Sequence, residues 1–410
     1  MMANRLDIFR HTTARINLDH LAYNFKAIKS FYGENRFICP MVKANAYGHG
    51  DVEVALRLEH EGATQLGVGL IEEGLLLRQM GIKCELLVFG IFDQRGAEEL
   101  VKWKLTPVVS VWGQIEALEK VRYHDMSQKI PIHLKFDTGM NRLGFAVEDT
   151  QKLFDHLMRH PKLEVKGICT HLFKGDDAQD LQGQSFEQLR RFAEVERIFS
   201  PLRVLSHTLN SAGMLNFHSL AEKNTSLPSG IQLQQGARPG LLIYGLSPLD
   251  VLPTGLNLKP VMSLCSHVVR FHHVKPNETV SYGGTWKASR PSVIGVIPIG
   301  YADGYHRLLS NKAELLIKGQ RVPQVGTVCM DYIMIDVTGV VTENEIHNHT
   351  DLEVTIFGTD SAGNYLGAQE LAQKAQTIPW EILTSVGERV PRVFEGSRDL
   401  NLISGKEAKV

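Results

Sequence analysis

The sequence predicts an α/β domain built from eight strand–helix units, followed by a second, largely β domain. Three observations predict it. Eight apolar strand candidates fall between residues 37 and 244. The stretches between them place apolar residues three and four apart, the spacing of a helix that packs one face on a sheet. After about residue 250 the texture changes to short β segments punctuated by turn residues. Eight strand–helix units are what a (β/α)8 barrel needs, and a doubly wound parallel sheet shares most of that pattern. A chain of 410 residues also exceeds one small core, so two domains are expected.

The strand candidates, in order, are residues 37–42, 66–70, 85–89, 107–110, 130–137, 164–171, 203–209 and 235–244. Between them lie DVEVALRLEH, IEEGLLLRQM, IEALEKV, TQKLFDHLMRH and FEQLRRFAEVERIF, each with one apolar stripe. Pro-rich LSPLDVLPTGLNLKP reads as a linker. Beyond it, VMSLCSHVVRF, TVSYGG, SVIGVIPIG, AELLIKGQ, QVGTVCM, YIMIDVTG and LEVTIFG read as β-rich, and AQELAQKAQ as a helix. The terminal ISGKEAKV reads as a frayed tail.

Composition narrows the function classes. Net charge is −1, with no basic stripe to attract nucleic acid. The N-terminus lacks the apolar stretch of a signal peptide, and no run reaches ~18 apolar residues. The five cysteines are odd in number, widely spaced and without CxxC. They predict buried thiols in a reducing compartment, not a disulfide frame or zinc site, and the cytoplasm is the expected location. His347 and His349 in EIHNHTD have weak metal-ligand spacing and read as a solvated turn.

Lys43 ends the first strand candidate, in CPMVKANAYGHG. Alone, a strand-end lysine is most simply one that snorkels to solvent. Its neighbours change that reading. Arg142 follows the fifth candidate and His171 ends the sixth. Asn210 and Ser211 end the seventh, and Arg238 lies in the eighth. Each alone is a cap, a core histidine or a surface ion pair. All at strand C-termini, they sit where a barrel builds its active site. A desolvated lysine has a lowered pKa and can form a Schiff base. The small residues of NSAG and RPGLL, after strands seven and eight, let backbone N–H groups approach a phosphate.

VKANAYGHG, DTGMNRLG, RPGLLIYGLSP, PIGYADGY and VGTVCMDYIMIDVT, taken together, resemble the alanine racemase family. The resemblance runs from ARINLDHLAYN to VGERVPRVF. It implies a pyridoxal-phosphate (PLP) barrel over residues 15–246 and a β domain over 247–410 that also takes residues 1–14. It implies an isomerase that interconverts L- and D-alanine, for peptidoglycan, as a homodimer with shared sites. Lys43 would hold PLP covalently and serve as one of two bases, with Tyr301, from the partner subunit, as the other. Tyr47, Asn210, Ser211, Gly240 and Leu241 would surround the phosphate. His171 would lie against the ring and Arg238 at the pyridine nitrogen. Arg142 would contact the phenolic oxygen or the substrate carboxylate. Met330 and Asp331 would shape the carboxylate pocket. Lys135 matches a lysine that some members carbamylate.

One position departs from the family pattern. Trp380 in TIPWEIL stands where the family usually has a phosphate-binding tyrosine. An indole offers an N–H but no acceptor, so anchoring leans on Tyr47, Ser211 and the backbone. Other racemases of this type act on serine, lysine or arginine. Two rivals remain at this stage. A PLP decarboxylase on the same plan would carry an acid, not Arg238, at the pyridine nitrogen. A PLP-carrier protein would lack the second domain and Tyr301.

Overall fold

The computed structural model describes residues 9–122, 129–176, 183–222, 235–348 and 351–396; the tail read as frayed lies outside them, as does His349. The chain separates into two compact units. One holds residues 21–46 and 51–259; the other holds 1–20, 47–50 and 260–410.

The chain enters through β1 (Thr13–Asn17), which belongs to the β-rich unit. The other unit is a wound parallel sheet. Its strands are β2 (Gln65–Val68), β3 (Glu85–Val88), β4 (Thr106–Val109), β5 (Ile130–Asp137), β6 (Phe145–Ala146), β7 (Leu163–Cys169), β8 (Leu205–Leu209) and β9 (Gly236–Ala237). Their order is β2-β3-β4-β5-β7-β8-β9, with β6 beside β5. β2, β3 and β4 carry mostly fully buried residues on both faces, as expected of a parallel sheet covered by helices. The amphipathic stretches form those helices, among them Asp51–His60, Ile71–Gln79, Thr150–Arg159 and Gln184–Phe199.

Two predicted strands differ in the structure, and a proline explains each. Residues 37–42 make only two isolated parallel bridges, Ile38 to Ala237 and Met41 to Gly67. Pro40 has no N–H to give a ladder. Those bridges nonetheless join β9 to β2, so this segment closes the sheet into a TIM-like barrel. The expected strand 235–244 is only β9 followed, after Pro239 and Gly240, by a 3-10 turn, Leu241–Tyr244. That turn is wholly buried, so its apolar run imitates a core strand.

The second unit is mainly β. Its strands are β10 (Met262–His267), β11 (Arg270–Val274), β12 (Thr279–Val280), β13 (Trp286–Lys287), β14 (Ser292–Ile297), β15 (Glu314–Ile317), β16 (Gln320–Pro323), β17 (Ile333–Asp336), β18 (Glu353–Thr359), β19 (Tyr365–Leu366) and β20 (Arg392–Glu395). One sheet runs β16-β15-β18-β10-β1-β20, with β19 on β18; a second runs β11-β14-β17. Residues 324–330, expected as β, form no strand; their backbone instead catches a neighbouring turn, described below. His347 ends a short helix, Glu343–His347, capped by Thr342, rather than a turn.

Candidate active site

Lys43 opens an unusual turn. Ala44, Asn45, Ala46 and Tyr47 all have φ between 52 and 54°. Such left-handed conformations cost about 1–2 kcal/mol per residue, so something must hold them. Glu73 does part of this. Its Oε1 accepts from Ala44 N at 2.6 Å, and its Oε2 from Gly69 N at 2.7 Å and Leu70 N at 3.0 Å. One carboxylate thus ties the turn after Lys43 to the end of β2. The Lys43 side chain opens to solvent yet has protein on most sides. That enclosure lowers its pKa first, the Arg142 guanidinium lowers it further, and Glu73 partly opposes both.

Arg238 follows β9 and is buried. Its guanidinium donates to His207 Nδ1 at 2.7 Å, to the His207 carbonyl and to the Thr170 carbonyl at 2.7 Å; it also lies 3.5 Å from His171 Nδ1. An arginine has no acceptor atom. His207 Nδ1 is therefore the acceptor, its proton sits on Nε2, and that N–H donates to His133 Nδ1 at 2.8 Å. Burial, then Arg238, holds His133 down to about 4 and His207 well below the ordinary histidine range. His171 is lowered by burial and by four nearby cations. Three neutral imidazoles thus surround one fixed positive charge.

The ends of β8 and β9 meet at small residues. Ser211 begins the helix Ser211–Glu222, and its hydroxyl accepts from Gly240 N at 3.0 Å. Its own proton is left to donate elsewhere. Gly240 caps the Leu241–Tyr244 turn. Two helical N-termini, each with N–H groups lacking intrahelical partners, suit an anion. Asn210 Oδ1 accepts from Gly213 N at 2.9 Å and its amide donates to the Leu172 carbonyl, so it organises the loop.

Arg142 lies in a loop held by Asp137, whose carboxylate accepts from the backbone N–H groups of Gly139, Asn141 and Arg142. Lys135, on β5, is buried. Burial lowers its pKa, with Arg142 and Arg238 adding to the effect. Among the described residues no carboxylate forms an ion pair with it.

In the β-rich unit, Tyr301 tops a tight turn in PIGYADGY and is 43% exposed. The turn is zipped to the CMD loop: Tyr301 N donates to the Cys329 carbonyl at 3.1 Å and Ala302 N to the Met330 carbonyl at 3.0 Å. Gly300 permits that approach, because a Cβ there would lie 2.2 Å from the Met330 oxygen. Asp303 is fully buried beneath the turn. It binds Arg10 at 2.6 Å and accepts from Gly300 N at 3.0 Å, with Arg389 at 3.5 Å. Arg389 also reaches Asp331 at 2.8 Å. The motif's second tyrosine, Tyr305, is a core residue. Tyr47 is buried and its hydroxyl is pushed up to about 12, so it stays a donor. Trp380 lies in the short helix Pro379–Ser385.

The barrel unit therefore gathers Lys43, Lys135, Arg142, His171, Asn210, Ser211, Arg238, Gly240 and Leu241. Tyr47, Tyr301, Met330 and Asp331 fall in the other unit. Sequence reasoning missed Glu73, His133 and His207. In the sequence Glu73 is one of two acids in IEEGLLLRQM, and His133 and His207 fall inside strand candidates.

A family model described as the alanine racemase N-terminal domain matches residues 16–248, and one for the alanine racemase C-terminal domain matches 261–394. The alanine racemase of Sorangium cellulosum is 38% identical, over 94% of this chain and 99% of the relative. That of Halothermothrix orenii is 33% identical, over 95% and 98%. Among solved structures, the alanine racemase from E. faecalis superposes with a TM-score of 0.83 at 30% identity, covering 95% of this chain and 100% of that one. The enzyme from Bartonella henselae, solved with covalently bound pyridoxal phosphate, gives 0.79 at 27% identity, over 94% and 99%.

Proposed function

The chain belongs to the alanine racemase family of PLP-dependent isomerases, and from that premise we propose how its own residues interconvert L- and D-alanine. The residues suit the cofactor: an amine shifted toward its neutral, nucleophilic form, a pair of helical N-termini with a serine hydroxyl, and a buried guanidinium. When bound, PLP accepts the negative charge that builds at the substrate's α-carbon.

Lys43 holds the cofactor covalently and takes or returns the α-proton on one face. Tyr301 serves the opposite face, in the site of a second copy of the chain. Its exposure and the buried clamp of Asp303 beneath it support that role. A tyrosine has an ordinary pKa near ~10 and needs nearby positive charge to act as a base. Ser211, Gly240, Leu241, Asn210 and Tyr47 would hold the phosphate. His171 would lie against the ring, and Arg238 would meet the pyridine nitrogen with a proton it cannot exchange. Arg142, with the Met330 backbone and Asp331, orients the substrate carboxylate. Lys135 is a candidate for carbamylation, because a carbamate there would place a negative charge beside two arginines.

The barrel is taken as residues 15–246 and the β domain as 247–410 with 1–14. The enzyme is a homodimer of the cytoplasm that supplies D-alanine for peptidoglycan. Two observations support the compartment: all five cysteines are free, and no helix among the described residues is long and apolar enough to cross a membrane.

The observation that carries the reading is Lys43, an amine of lowered pKa at a barrel mouth facing Arg142. Borohydride reduction of the holoenzyme, followed by peptide mapping, should place the label on Lys43. Lys43→Ala should lose the label and about 10⁴-fold in kcat. Label on a different lysine, or a higher kcat/KM for L-Ser, L-Lys or L-Arg than for L-Ala, would overturn the assignment.

A further inference from the structure

At one end of the large sheet, three strands set polar groups side by side. β1 pairs with β10 so that Thr13 faces Cys265. Continued two residues outward, that register sets His11 beside His267, and their rings lie 5.6 Å apart. On the other side of β10, His267 faces Glu353 at the start of β18. Asp351 lies two residues before Glu353, on the same side of the chain by strand alternation. Thr12, Ala14 and Ile16 are fully buried, so β1 turns His11 and Arg15 to the outer face.

The side chains converge. His267 Nδ1 lies 2.5 Å from Asp351 Oδ1, and one ligand atom from each of His11, His267 and Asp351 falls within 4.8 Å of the others. Around a zinc ion, ligands at about 2.0–2.2 Å stand roughly 3.3–3.6 Å apart, so His11 must draw in and the His267–Asp351 contact must open. Small rotations of two partly exposed side chains would supply the difference. The opposite nitrogen of His267 faces Glu353 Oε2 at 3.9 Å, and Glu353 is held by Arg15. A carboxylate behind a metal-bound imidazole fixes the ring and strengthens it as a ligand.

We propose that His11, His267 Nδ1 and Asp351 bind a divalent transition metal of the zinc class, with Glu353 orienting His267 and water completing the tetrahedron. The site uses none of the residues placed at the substrate, although Arg10, next to His11, binds the Asp303 beneath Tyr301. It fastens the entering segment at His11 to the sheet, so its role is structural.

The test uses tag-free, PLP-loaded enzyme stripped with EDTA and then titrated with Zn²⁺. Atomic emission after gel filtration counts the metal, and calorimetry gives the affinity. One zinc per chain is expected, with a raised Tm. His267→Gln and Asp351→Asn should each lose that zinc while keeping racemase activity. Glu353→Gln should bind about 10-fold more weakly or worse. Zinc retention by the parent no greater than by His267→Gln overturns the site and leaves an exposed His–Asp pair. An unchanged affinity in Glu353→Gln overturns the role given to that residue.

Discussion

The mouth of the barrel and the Tyr301 turn solve opposite problems. At the barrel, Arg238 and Lys135 are buried, while Lys43 and Arg142 open to solvent. Arg238 spends its guanidinium on two carbonyls and an imidazole, and three histidines beside it are forced neutral. At the turn, the chemistry-bearing hydroxyl is exposed and only its support is buried. Asp303 sits at zero exposure beneath a tyrosine that is 43% exposed. The barrel fixes its groups by burial; the turn holds an exposed hydroxyl on a buried support. That difference is what the role proposed for Tyr301, in the site of a second copy, calls for.

Three experiments bear on that contrast, from the largest expected effect to the smallest. Tyr301→Phe should leave PLP bound, seen as an unchanged visible band, while kcat falls about 10³-fold in at least one direction. Loss of the cofactor band in this variant would show that the turn also holds PLP, and the contrast would break. Asp303→Asn removes the buried anion but keeps the Tyr301 hydroxyl. Losing charge-assisted hydrogen bonds should cost about 2 kcal/mol of stability, with a lower kcat and little change in KM. An unchanged Tm and kcat would mean the clamp is ornamental.

The third experiment reads the barrel's neutral histidines. Their pKa values are lowered on folding, His133 to about 4. The unfolded chain therefore takes up protons first as pH falls through about 6.5. Stability is fully present above that pH and is lost as pH falls toward about 4, by up to about 1.4 kcal/mol per pH unit for each histidine. Urea unfolding at pH 7.5, 6 and 5 measures the slope; a flat profile would mean these rings titrate alike in the folded and unfolded chain.

Much of this was legible in the residues. Period-three and period-four apolar spacing located the helices, and strand-end polar groups located the barrel mouth. What was not legible has local causes. Pro40 and Pro239 each interrupt a ladder inside an apolar run, so hydrophobicity alone overstates the first and last strands. Glu73 matters because it reaches back to Ala44, 29 residues away, and nothing in its own helix announces that. His133 and His207 are joined across 74 residues, a contact that exists only once β5, β7 and β8 align.

The closing segment of the barrel carries one more consequence. A closed sheet has no edge to fray, and here closure runs through two bridges flanking a proline, directly before Lys43. The seam that closes the cylinder and Lys43 are nearly consecutive in the chain. Hydrogen exchange across Cys39, Met41 and Gly67 would thus report the same event that dislodges the lysine. Anything tethered to Lys43 on the inside acts as a rivet on that seam.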